Sequence, residues 1–504
     1  MKAVGIDLGT TYTLLSVIQD DARWWCVPNR EGKLQTPSVV QLRPNEVVVG
    51  QIALETAHLF PNETVTEVKR SMGDPEWSWW ANNKSYSAVD ISSFVLEKVI
   101  RDSTERLGEA IRDVVLTVPA HFGDHQRKAT LQAASQAGLE VLRLINEPTA
   151  AALAAGYDDL EDGDLLLVVD LGGGTFDVTA LLWNQRNLEV IASRGEAYLG
   201  GQDWDDLLVH HAASLFISEH GADPLDYPES FRKLQTACRQ AKHQLSLRSS
   251  LTIPVEHNQL QSNFQLSLSY FKKLSEDLLA QLSNHIAIME EELHELLPPK
   301  RVQLVGGSTR MPMIRELLQQ RYPDSVINHE RPDTSVSLGA AYQAYLLQQS
   351  RETKTSFLIP KLFQSDESEI ARLPGQTISQ SQQEQTLLNL QDINNHTLGV
   401  VVLDSLGQEK VKSIVPAFSR LPSVFKYTFH TAYHNQVTLD IELVEGESPF
   451  PNDCLQVGKF VVENLPARPA GQPVNLTFNY DANGTLSIQV LDVGTGVLHS
   501  PTPE

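Results

Sequence analysis

Two short stretches constrain this chain more than any others: VGIDLGTTYTL at residues 4–14 and VVDLGGGTFDV at 168–178. Each is an apolar run that ends in an aspartate, followed by a glycine turn. Phosphate loops of the P-loop and dinucleotide kinds pass from a strand through glycines into a helix. Here the residues after the glycines do not read as helix. Tyr12 to Ile18 is rich in β-branched and aromatic residues, and Phe176, Val178, Ala180 and Leu182 recur with period two. Both turns are therefore predicted to be tips of β-hairpins, where glycine lets successive N–H groups converge on one anion. Asp7 and Asp170 precede the two turns. A carboxylate beside a triphosphate is repulsive unless a cation lies between them, and Mg²⁺ suits, because it accepts one or two carboxylates and keeps its waters. Two facing hairpins clamping one Mg-nucleotide explain why the pattern occurs twice.

The rest of the chain divides around this pair. Residues 1–155 and 165–345 each read as hairpin, helices and further strands: two α/β lobes of one nucleotide-binding unit over 1–347. Within them lie a Trp-rich insertion at 76–83, helices near 90–107 and 123–138, the strand RVQLV and a helix begun by Pro312. A helical segment is expected after the helix opened by LGGQDWD. Residues 348–392 are rich in Gln and Ser and read as a polar linker, with LIPKLF (358–363) as a local docking patch. From 393 to 498 the period is two, as in Val437, Leu439, Ile441 and Leu443, and Asn483-Gly484 is a hairpin turn. That predicts a small antiparallel β domain, with 499–504 as a tail.

Composition removes several classes. With 63 acidic against 40 basic residues the net charge is −23, which opposes nucleic acid and anionic membrane as partners. Three cysteines without a CxxC pair point to a reducing compartment. The N-terminus lacks a signal-peptide layout and no apolar run reaches the ~18 residues of a membrane helix, so a cytoplasmic protein is expected.

Longer motifs carry a resemblance. GIDLGTTY (5–12), Lys69-Arg70, TVPAHF (117–122), INEPTAAALAAG (145–156), VVDLGGGTFDVT (168–179), LGGQDWD (199–205), LVGGSTRMP (304–312) and RPDTSVSLGAA (331–341) stand in the order found in the 70-kDa heat-shock-protein chaperone family, the DnaK-like proteins. HTLGVVVLD (396–404), AYHNQVTLDIELVEGE (432–447) and YDANGTLSIQVLD (480–492) resemble that family's peptide-binding β-sandwich. The resemblance implies a two-lobed actin-like ATPase domain, a duplicated ribonuclease-H-like α/β fold, followed by a small antiparallel β-sandwich. It implies ATP/ADP and Mg²⁺ as cofactors, and an ATP-dependent chaperone that binds unfolded or extended polypeptide segments. A J-domain co-chaperone and a nucleotide exchange factor are implied as partners, the former at Arg143, Asn146 and Asp392.

Carried over residue by residue, Gly9, Thr10, Thr11 and Tyr12 with Gly172, Gly173, Gly174 and Thr175 hold phosphates, and Asp7 and Asp170 hold hydrated Mg²⁺. Lys69 and Glu147 place and polarise the attacking water. Gly200, Gly201, Lys242, Ser246, Gly306, Gly307, Ser308, Arg310 and Asp333 contact the nucleoside. Leu403 and Ala432 form an arch over a bound peptide, and Leu439 lines its central pocket. Asp333 also fits a helix N-cap and Leu439 ordinary sandwich core. His121 and His125, at helical spacing, are read as structural rather than metal ligands, and Trp77, Trp79 and Trp80 as packing or a partner surface.

The chain departs from the family at four places. Arg239 stands where the family has Glu, which alters the expected adenine affinity. The usual aliphatic linker is reduced to LLNLQD (387–392), the segment after Arg70 is short and Trp-rich, and the family's helical lid is expected to be missing. These departures leave a second reading open: a nucleotide-sensing peptide-binding module with little turnover. A sugar or acetate kinase on the same fold is disfavoured, because it has no use for the β domain.

Overall fold

The computed structural model describes residues 2–19, 23–155, 160–184, 187–352, 389–404 and 406–503. It contains two compact units, Met1–His121 with Ala129–Leu390, and Phe122–Lys128 with Gln391–Glu504.

The first unit is built on two sheets with one plan. In the first sheet, Glu140–Asn146, Asp113–Val118 and Val4–Leu8 run parallel, and Tyr12–Ile18 and Trp24–Cys26 continue antiparallel. In the second, Val326–Asn328, Arg301–Val305 and Leu165–Leu171 are parallel, and Phe176–Asn184 and Asn187–Glu196 continue antiparallel. Both glycine turns are thus hairpin tips, as the period-two pattern requires. The register aligns the two aspartates: Asp7 pairs with Leu14 and Asp170 with Asp177, each one residue before its strand ends. Every residue of Leu165–Leu171 is buried, the mark of a central strand covered on both faces.

The helix Ser335–Glu352 packs on Val4–Leu8 and crosses the short helix Glu147–Leu153. Ala150, Ala151, Ala152, Ala340, Ala341 and Ala344 are fully buried there. The crossing is so close that a Cβ at Gly339 would lie 1.7 Å from the Ala150 carbonyl oxygen, and one at Gly5 2.0 Å from the Ala341 nitrogen.

Several parts of the first unit go beyond the sequence reading. The helical segment expected after the helix opened by LGGQDWD is Pro228–Leu245, and it is followed by a hairpin that the sequence reading does not name, Ser250–His257 paired with Leu260–Ser267. Its turn is made by Asn258 and Gln259 at φ +48° and +66°, a left-handed pair without glycine. The Trp-rich insertion is also a hairpin, Trp79–Ala81 with Lys84–Tyr86, on which Trp80 is 70% exposed. The helix Ser335–Glu352 runs into the range expected as linker, and Asn389–Gln391 forms a strand beside Asn187–Glu196. The polar segment between them, including LIPKLF, lies outside the described residues.

In the second unit two antiparallel sheets share one apolar core. One sheet orders Glu409–Val415, Leu398–Leu403, Leu439–Glu445, Leu455–Val462 and Thr502–Pro503. The other orders Ser423–His430, Pro473–Tyr480, Leu486–Asp492 and Val497–His499. Leu398, Ile441 and Leu443 from the first meet Leu476, Phe478 and Val490 from the second. The Asn483-Gly484 turn forms as expected, with Asp481 Oδ1 accepting from the N–H of Asn483 and Thr485 at 2.8 and 2.9 Å. The last residues, expected to trail the domain, add an edge strand in which Pro503 pairs with Phe460.

Among the described residues no helix is long and apolar enough to cross a membrane.

Candidate active site

Between the two lobes of the first unit lies a cleft of about 1030 Å³, lined by both glycine turns. The turns interlock: a Cβ on Gly173 would lie 1.8 Å from Thr11 Oγ1, and one on Gly174 2.5 Å from Thr10 Cγ2. A side chain at either glycine would collide with the threonines of the facing turn, so the approach requires glycine. Asp7, Gly9, Thr10, Thr11, Tyr12, Lys69, Glu147, Asp170, Gly172, Gly173 and Thr175 all reach the cleft wall. So do Gly201, Lys242, Ser246, Gly306, Gly307, Ser308, Arg310 and Asp333. Gly174 and Gly200 stand behind it, against each other, and shape the turn rather than face the cavity.

Lys69 rides on a single 3₁₀ turn, Val68–Ser71, and Glu147 begins the helix Glu147–Leu153. Their side chains are almost fully buried, and Lys69 Nζ donates to Glu147 Oε1. Around this pair lie more carboxylates than cations. Burial and the charge of Glu147 push Asp7 from 3.8 to about 7, against the opposing pull of Lys69. Burial, Glu147, Asp177 and Asp7 hold Asp170 well above the usual carboxylate range, and burial raises Glu147 despite Lys69. Such crowding is what a divalent cation relieves. Among the described residues no group of three or more His, Cys, Asp or Glu could hold a metal. Two carboxylates facing a phosphate-sized cradle fit Mg²⁺ that keeps most of its waters.

This crowding gives a pH dependence with a definite sign. Asp7 binds its proton more tightly folded than unfolded, so its stabilising contribution is complete below about pH 4 and is lost as pH rises through about 7. Protein free of nucleotide and metal is expected to melt at a lower temperature at pH 8 than at pH 5. Asp7→Asn should remove ~1–3 kcal/mol of that difference, allowing for water in the cleft. Thermal scans of both proteins at the two pH values check this; equal slopes contradict it.

At the far end, buried Lys242 donates to the Gly201 carbonyl and pairs with Asp205 at 2.8 Å, and burial lowers its pKa. Ser308 Oγ donates to the Gly172 carbonyl at 2.8 Å. Arg310 grips Asp333 Oδ2 at 2.6 and 3.1 Å, so that aspartate's partner is a cation on the cleft rim. His121 Nδ1 lies 3.0 Å from Asp177 Oδ1 and His125 is exposed. Trp77, Trp79 and Trp80 are not among the cleft-lining residues.

Four residues of this site lie in the quoted motifs but were given no role there. Arg70 donates to the Gly174 carbonyl at 2.6 Å and to Asp203 at 2.9 Å, and Asp205 and Gln202 receive the cations of the Pro228–Leu245 helix. Arg70 belongs to the Lys69-Arg70 pair and the other three lie in LGGQDWD, so the sequence signal was the motifs themselves.

In the second unit, Leu403 ends one strand and is 48% exposed, and Ala432 is exposed after Ser423–His430. Leu439 begins the strand antiparallel to that of Leu403 and is half-buried against the core. Asn146 and Asp392 are buried and Arg143 half-buried.

The family model for the Hsp70 protein matches residues 3–80, 77–360 and 375–502. The chain belongs to the Hsp70 family. It is 33% identical over 508 residues to the chaperone protein DnaK of Thermosipho melanesiensis, covering 98% of this chain and 78% of that one. DnaK of Thermotoga maritima is 32% identical over 509 residues, with the same coverage. As an Hsp70 the chain is an ATP-hydrolysing molecular chaperone.

Proposed function

We propose that the cleft binds Mg-ATP and hydrolyses it, and that the nucleotide bound controls capture of extended, apolar polypeptide segments by the β domain. In this reading residues 1–347 are the ATPase domain, 348–392 the linker and 393–498 the peptide-binding domain. The observation that carries it is the buried Lys69–Glu147 pair set among Asp7, Asp170 and two interlocked glycine turns.

The N–H groups of the turns, with Thr10, Thr11 and Thr175, receive the phosphates. Asp7 and Asp170 hold hydrated Mg²⁺, whose charge offsets that of the phosphates. Lys69 Nζ, fixed by Glu147, holds water in line with the γ-phosphorus and stabilises charge on the γ-oxygens. The bond from water oxygen to phosphorus forms as the β–γ bridging bond breaks, and ADP, phosphate and a proton leave. Such transfer depends on positioning and electrostatics. Lys242, Ser246, Arg310 and Asp333 bound the nucleoside end. A J-domain protein and an exchange factor are the expected partners, and the cytoplasm the expected location.

Steady-state assays should find slow Mg²⁺-dependent hydrolysis, accelerated by an extended leucine-rich peptide. Tight ATP binding without turnover would instead favour the nucleotide-sensing alternative. In the β domain an extended peptide would contribute main-chain hydrogen bonds and one buried aliphatic side chain. Leu439→Ser is expected to weaken binding of a fluorescent leucine-rich peptide ~10-fold or more, the value of one lost apolar contact. An unchanged dissociation constant would remove Leu439 from the pocket.

A further inference from the structure

Arg239, which departs from the family pattern, has no part in the chemistry above. It lies on the Pro228–Leu245 helix of the second lobe, with Nε 3.1 Å from Asp205 Oδ2 and Nη2 2.8 Å from Gln202 Oε1. Lys242, one turn further on, holds the other oxygen of Asp205 at 2.8 Å. One carboxylate therefore faces two cations, and about one positive charge is left uncompensated in a mostly buried place.

The first lobe supplies the missing charge. Glu67 Oε1 lies 3.5 Å from Arg239 Nη2, and the two side chains are 20% and 19% exposed. Glu67 holds φ at +60°, a left-handed conformation that a glutamate adopts only when its surroundings enforce it. It is the N-cap of the Val68–Ser71 turn that carries Lys69. At the other side of Lys69, Arg70 crosses to Asp203 and the Gly174 carbonyl of the phosphate turn. Lys69 is thus flanked by two ion pairs that span the cleft with opposite polarity: acid to base before it, base to acid after it.

We infer that Arg239 is a positioning residue for hydrolysis: with Glu67 it fixes the leading end of the Lys69 turn to the second lobe, as Arg70 with Asp203 fixes the trailing end. The inference rests on the hydrolytic role proposed for Lys69. Removing Arg239 leaves Asp205 paired with Lys242, so the acid at the core of the second lobe keeps a cation, and only Glu67, at the lobe boundary, loses its partner. What changes is the height of Lys69 Nζ in the cleft, to which in-line attack is sensitive.

Single-turnover hydrolysis of Mg-ATP by the full chain tests this, with Arg239→Gln, Glu67→Gln, the double variant and Arg239→Lys. Each single Gln variant is expected to lose ~10-fold in rate, equivalent to ~1.4 kcal/mol. The double variant should be no slower than either single, since both break one pair. Arg239→Lys, which keeps the charge, should recover most of the rate, and ATP affinity by calorimetry should change less than the rate. An unchanged rate in Arg239→Gln, losses that multiply in the double variant, or a loss wholly in affinity would overturn the inference alone. A wild-type rate no higher than that of Lys69→Ala would overturn it together with the hydrolytic reading beneath it.

Discussion

Lys69→Ala is expected to lower single-turnover ATP hydrolysis by ~10²–10³-fold, the cost of deleting one preorganised charge at a developing transition state. Lys69 Nζ is a cation placed among Asp7, Asp170 and Glu147, and it is held there by a buried hydrogen bond. With the amine gone, Glu147 has no partner to fix its rotamer, and its carboxyl rises further. The glycine turns, Thr10, Thr11 and the Asp7/Asp170 pair stay in place, so most of the loss should appear in the rate rather than in nucleotide affinity. Quench-flow measurement beside calorimetric ATP titration separates the two. Loss of binding in proportion to rate would make Lys69 a phosphate anchor and not a catalytic residue.

The second large effect is on stability. Gly339→Ala is expected to destabilise the first unit by more than ~3 kcal/mol, the upper range for forced overpacking. Helix propensity alone gives the opposite sign, since alanine in mid-helix is favoured over glycine by ~1 kcal/mol. The contact decides: the new Cβ would meet the Ala150 carbonyl oxygen at 1.7 Å and its carbon at 2.5 Å, and these are backbone atoms that no rotamer change can move. Relief requires the Ser335–Glu352 helix to lift from Glu147–Leu153, opening space beside Ala150, Ala340 and Ala341 and tilting Glu147 away from Lys69. Calorimetry should show the melting midpoint of this unit falling by ~5 °C or more. A midpoint within a degree or two of wild type would show that the crossing is looser than described.

How much of this was legible from sequence depends on the range over which each feature is encoded. The hairpin nature of both glycine turns is local, written in the alternation after Gly9 and Gly174, and it distinguishes this site from helix-capped phosphate loops. The roles implied for Lys69, Glu147, Asp7 and Asp170 came from contiguous motifs, and the cleft brings those residues together. Arg70, Gln202 and Asp205 escaped because their partners are distant in the chain; Arg70 and Asp203 are separated by 133 positions. Arg239 was visible as a departure, but a sequence cannot say that the guanidinium turns to Asp205 and Glu67. The hairpin at 250–267 was missed for a different reason. Its turn uses Asn258 and Gln259 in place of glycine, and its apolar face, Ile253 and Val255, is short. Leu439 kept both of its readings, because a half-buried strand residue at a sheet end satisfies core alternation and pocket lining equally.

The central claim is that ATP and its hydrolysis govern peptide binding. The most direct measurement is release of a pre-bound fluorescent leucine-rich peptide from the full chain, by stopped flow, after mixing with Mg-ATP or Mg-ADP. Release at least ~10-fold faster with Mg-ATP is predicted, in both wild type and Lys69→Ala, with recapture following only in the wild type as ATP is consumed. Equal release rates with the two nucleotides would contradict the account.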